Sequence, residues 1–320
     1  SIVTIDANSI VGSLLVSGTL QFEVVNPRSI TVLTQVSINS GGIFRSAQSG
    51  TVKNHQLIVQ GSIINDGIID FSSYSNATGV EIVFKGSGNA IFNCSDAPLT
   101  NLRQTNGIIL DKGTSAASVL SFIPGKTFQI LSDGSARAKG FLSIINGTFN
   151  IIGSNSFNNP VFDTDGNYSI PATGGFWLGN QNATVLGMKG TVTNRGDLKI
   201  TNGTYQVGIS GESSLETLAD GQFKMAGGIM NICGNFKMDG GTCTISGGRI
   251  NLATQGNPAG NEPTLNISGQ ATFETYGNSI ITIAYPKSNE VPFNDIQLQD
   301  GSGLKSMTGG TIQLGTQATP

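Results

Sequence analysis

The sequence predicts an all-β chain wound as a parallel, right-handed β-helix solenoid with about 20 residues per coil. Three observations predict it. Glycine occurs 44 times while charged residues make up only 12% of the chain, so the Lys, Glu and Arg that clothe solvent-facing helices are scarce. A short unit of glycine, any residue, apolar, polar, apolar recurs along the chain. Successive units start six or seven residues apart, which is too short a step for strands joined as ordinary hairpins.

The unit is clearest between 228 and 252, at Gly228-Ile-Met230-Asn-Ile232, Gly234-Asn-Phe236-Lys-Met238, Gly241-Thr-Cys243-Thr-Ile245 and Gly248-Arg-Ile250-Asn-Leu252. Alternation sends residues such as Met230, Phe236 and Cys243 to one face of a strand and the intervening polar residue to the other. Three steps sum to about 20 residues, one three-sided coil, so the whole chain would make on the order of 16 coils stacked at about 4.8 Å. Related units stand at Gly61, Gly67, Gly147, Gly190, Gly196 and Gly203. Earlier, β-branched runs such as Ile2-Val3-Thr4-Ile5, Ile30-Thr31-Val32-Leu33 and Leu57-Ile58-Val59 continue the pattern less regularly.

The rhythm breaks between about 154 and 187, where Asn158-Asn159-Pro160, Ile170-Pro171 and Gly174-Gly175 cluster. This stretch reads as a loop insertion within a single 1–320 solenoid. Shorter breaks fall at 257–263 and 285–287. The chain opens at Ser1 without an initiator Met, and the repeat idiom persists at Gly309-Gly310-Thr-Ile312-Gln-Leu314, so a piece of a longer protein is expected.

The segment His55-Gln-Leu57-Ile-Val59-Gln-Gly61-Ser-Ile63-Ile-Asn65-Asp-Gly67-Ile-Ile69-Asp-Phe71 resembles β-helical repeat regions of large secreted proteins of the Bacteroidota, gliding-type adhesins included. The resemblance implies export by the type 9 secretion machinery and a secreted or cell-surface location, with outer-membrane attachment through other parts of the parent protein. It also implies a spacer, adhesin or carbohydrate-facing role.

A net charge of −3 offers no basic footprint for nucleic acid, and no apolar run approaches the roughly 18 residues that a membrane helix needs. The expected partner is instead a polysaccharide or another surface. Tyr168, Phe176, Trp177 and Asn180 form the candidate carbohydrate site, since an exposed aromatic ring stacks on a sugar face and amides supply donors and acceptors. Asp163, Asp165 and Asn167 read either as an Asx/Gly turn or as a calcium loop lacking the Glu that closes an EF-hand. His55, the one histidine, reads as a satisfied strand or turn residue or as a general base. Cys94 and Cys243 fall at inward positions and read as small buried hydrophobes, with a Cys233–Cys243 disulfide as the alternative. No catalytic residue is assigned. The leading expectation is a structural or adhesive module and not an enzyme; the alternative is a carbohydrate-active β-helix, either a polysaccharide lyase or a glycoside hydrolase.

Overall fold

The structure is a computed structural model that describes residues 1–72, 78–94, 99–132, 139–256, 263–285 and 295–315. The breaks read at 257–263 and 285–287 fall largely outside those residues. The described residues are all-β, with no helix among them. The chain clusters into two compact units, Ser1–Thr164 and Asp165–Pro320.

In the first unit the chain visits three parallel ladders in a fixed order. The first ladder holds Ile2–Ile5, Thr19–Phe22, Ile43–Arg45, Ile68–Asp70, Leu99–Arg103 and Phe128–Leu131. The second and third ladders start as single long strands, Ser9–Val16 and Ser29–Ile38, whose register shifts between Val11 and Ser13. Later the same bend divides the strand, giving His55–Val59 on the second ladder and Ser62–Asn65 on the third. Gly61 occupies that bend, where a Cβ would overlap the Thr34 carbonyl oxygen of the neighbouring strand. Only glycine lets the two backbones approach so closely.

The second unit repeats the scheme. Its first ladder runs from Tyr168–Ile170 through Val192–Asn194, Leu215–Thr217, Phe236–Met238 and Leu265–Ile267 to Ile296–Leu298. The long strands Gln222–Ile232 and Thr242–Leu252 each serve both of the other ladders.

Period-two alternation places every second side chain inside, and parallel register stacks like on like. Phe176, Leu198, Phe223, Cys243 and Phe273 form one such inward column in the second unit, each at most 1% exposed. Met230 and Phe236 are likewise fully buried. In the first unit Phe122 gathers Phe92, Phe149 and Phe141 at centroid distances of 5.5, 5.5 and 6.0 Å. Each buried phenylalanine contributes on the order of 2–3 kcal/mol.

These registers correct the expected parallel β-helix solenoid of about 20-residue coils broken by a loop insertion. Partner residues lie 17 apart at Ile2↔Thr19, 20 at Gln222↔Thr242 and 34 at Ile108↔Leu142. The 20-residue spacing belongs to the stretch around 228–252. Nor are there 16 strands of one kind to stack: the first ladder has six strands in each unit among the described residues. The segment 154–187 is also no insertion. It supplies the strands Phe157–Asn159, Tyr168–Ile170, Gly174–Leu178 and Ala183–Val185, with Phe157 and Phe176 buried. Its glycines and prolines mark corners or close backbone approaches, which sequence spacing alone does not separate from loop.

Candidate functional site

The second unit's second ladder runs through Gly174–Leu178, Asp197–Ile200, the first parts of Gln222–Ile232 and Thr242–Leu252, Thr272–Thr275 and Lys305–Met307, and its outward positions carry the residues that can meet a partner. Trp177 faces Lys199 across one ladder step, and Lys199 is followed in register by Lys224, Thr244, Glu274 and Ser306. Trp177 is half-buried, its indole N–H donates to Thr201 Oγ1 at 2.9 Å, and Lys199 Nζ stands 3.8 Å from the ring centroid. This cation–π contact and the hydrogen bond together hold the ring in one orientation.

The other carbohydrate candidates do not share that face. Phe176 is fully buried, 5.7 Å from Tyr205. Tyr168 points to the same interior, where its hydroxyl and that of buried Tyr205 hydrogen-bond to each other. Burial raises the Tyr168 hydroxyl well above the usual phenol range, with the Tyr205 hydroxyl adding to the shift. Asn180 is also fully buried, and its Oδ1 accepts the Asn182 N–H at 2.9 Å in an Asx turn. Trp177 alone of the four stands on the outward ladder face.

The three residues of the candidate calcium loop divide between the units, Asp163 in the first and Asp165 and Asn167 in the second. Burial raises the Asp163 carboxyl above its usual range, against the backbone N–H of Asn106 and the nearby charge of Lys139, which favour the anion. Asn167 Oδ1 accepts the Thr191 N–H at 2.7 Å. Among the described residues no group of three or more His, Cys, Asp or Glu is placed to hold a metal ion.

His55 is fully buried in the first unit, stacked on Phe22 at 4.8 Å, and its Nδ1 accepts the Arg28 N–H at 3.1 Å. Desolvation lowers its pKa and keeps it neutral. The imidazole has no exposed surface, which makes it a core residue. Beside it, Asn8, Arg28, Asn54, Gln56 and Glu81 line a shallow polar hollow in which Gln56 Nε2 donates to Glu81 Oε2 at 3.3 Å. The three cysteines are free and buried, so Cys233 and Cys243 are not joined.

The chain matches no protein-family model, no curated protein and no solved structure.

Sequence reasoning missed two features. The Trp177–Lys199 pair is invisible without the register, because its members lie 22 residues apart. Lys112 gave no signal either. It is fully buried, with Nζ donating to the Lys85 carbonyl at 3.0 Å, and burial lowers its pKa. Among the described residues no helix is long and apolar enough to cross a membrane.

Proposed function

We propose that this chain is a structural and adhesive module of a secreted or cell-surface protein, one that contacts a polysaccharide or another surface through its outward ladder faces. The observation that carries this reading is the in-register column Trp177, Lys199, Lys224, Thr244, Glu274 and Ser306. Parallel strands repeat at about 4.8 Å, so such a column offers donors, acceptors and one aromatic face at regular intervals. A hydroxyl-rich polymer presents groups of the same kind along its length, and many weak contacts then add through multivalency. The resemblance of residues 55–71 to Bacteroidota repeat regions supports export through the type 9 machinery to the cell surface.

Co-sedimentation of the chain with insoluble polysaccharides tests the reading, with released sugars assayed in the same tubes. Binding without release is expected. Trp177→Ala should lower the bound fraction several-fold, about 1 kcal/mol for the loss of an aromatic face. Release of sugar fragments would overturn the structural reading in favour of an enzyme. Equal binding by Trp177→Ala would remove this face as the contact surface.

A further inference from the structure

A second recess in the Asp165–Pro320 unit arises from unequal corners. Three neighbouring strands of the third ladder end at Val207, Ile232 and Leu252, and each leads back to the first ladder. The connections differ in length: seven residues at 208–214, three at 233–235 and twelve at 253–264. The three-residue corner lies between the seven-residue corner and the described start of the longest one, at 253–256. The result is a cleft of about 430 Å³ lined by Gln206, Ile209, Asn231, Cys233, Thr254 and Gln255, together with Gly208.

The first wall of this cleft is fixed. Gly208 has φ +84°, and a Cβ there would overlap Ser213, so the first wall admits glycine alone. On the floor the Thr254 hydroxyl points to Cys233 Sγ at 3.8 Å. Asn231 is oriented from the next strand, where Asn251 Nδ2 donates to its Oδ1 at 2.8 Å, which leaves the Asn231 amide hydrogens for another acceptor. Ile209 is 58% exposed at the rim and gives the cleft one apolar face.

Among the described residues, none of the seven that line the cleft carries a charge. Three amides and a hydroxyl supply both donors and acceptors, while a carboxylate or phosphate would lose its water with no cation to receive it. A peptide would ask for more apolar lining than a single isoleucine and a thiol. Hydroxyl groups, which donate and accept at once, match the lining, and the volume lies within the roughly 300–1,000 Å³ of small-ligand sites. We propose that this cleft binds an uncharged saccharide unit. The inference rests on the adhesive reading above and assigns it a second, more specific contact.

Calorimetric titration of the whole chain with neutral oligosaccharides, with uronic-acid oligosaccharides and with a capped neutral peptide tests the assignment. Neutral sugars are expected to bind. Gln206→Ala and Gln255→Ala should each weaken binding about 3- to 10-fold, the worth of one hydrogen bond, while melting as the parent does. Cys233 gives a readout local to the cleft: it is 6% exposed, whereas Cys94 and Cys243 are fully buried. Saturating sugar should slow its alkylation, followed by mass spectrometry. Unchanged alkylation, unchanged affinity in both variants, or binding confined to the acidic sugars or the peptide would overturn the assignment. If polysaccharide co-sedimentation persisted in any of these cases, the ladder-face reading would stand and the cleft alone would fall. If no glycan bound by either assay, both would fall.

Discussion

His55 shows how a single buried side chain writes a pH dependence into this fold. Its Nδ1 is committed to the Arg28 N–H, so the proton of the neutral ring sits on Nε2 in the buried interior. Desolvation lowers the folded pKa below the usual 6.5. The unfolded chain therefore binds a proton first as the pH falls, and stability declines from about pH 6.5 down to the depressed folded value. Below that value no further loss comes from this group. Melting curves between roughly pH 7.5 and 5.5 should show a falling midpoint, and His55→Gln should flatten that slope. An equal slope in the variant would assign the dependence elsewhere. The burial of His55 was half legible in the sequence, since it begins the alternating run His55-Gln-Leu57-Ile-Val59. Lys112 was not legible, because it lies just past the end of a strand, where no alternation says which way a side chain turns.

For a strand and its corner, the informative residues are the glycines. The spacing of Gly-x-apolar units made strands and bends readable, because side-chain alternation is set by immediate neighbours. Corner length is set by what the chain does outside the core, and nothing in the core penalises a longer loop by much. That is why the 20-residue spacing around 228–252 did not extend to the 34 residues between Ile108 and Leu142. It is also why the glycines and prolines of 154–187 read as an insertion when Gly174 and Gly175 lie inside a strand. The glycines themselves divide by environment. A Cβ at Gly61 would overlap the Thr34 carbonyl, whereas one at Gly12 meets nothing within 4 Å. Gly61→Ala should cost about 3 kcal/mol or more in urea unfolding, and Gly12→Ala should be neutral or stabilising by under about 1 kcal/mol. Similar costs for the two would contradict the close packing at the bend.

Across the molecule, each of the two units carries three parallel ladders, and the same register that buries aromatic and aliphatic columns exposes polar ones. The candidate site follows from this duality. A side chain such as Trp177 looked like a loop aromatic in the sequence and is instead an outward strand residue, while its neighbour Phe176 belongs to the core. Sequence composition made the all-β class legible, through low charge and abundant glycine, but convergence of particular residues depends on register and on unequal corners. Both the ladder-face contact and the cleft of unequal corners therefore stand or fall with the parallel in-register stacking of the outward columns.

Spin labels at Lys224, Thr244 and Glu274 test that stacking directly, in a background where the three buried cysteines are replaced by alanine. Lys224 pairs with Thr244, and Thr244 with Glu274. Strong dipolar broadening is expected for the 224/244 and 244/274 pairs, at about 5 Å between backbones, and weaker broadening for 224/274 at about 10 Å. Absence of broadening in 224/244, or a 224/274 pair closer than either neighbour pair, would contradict the account.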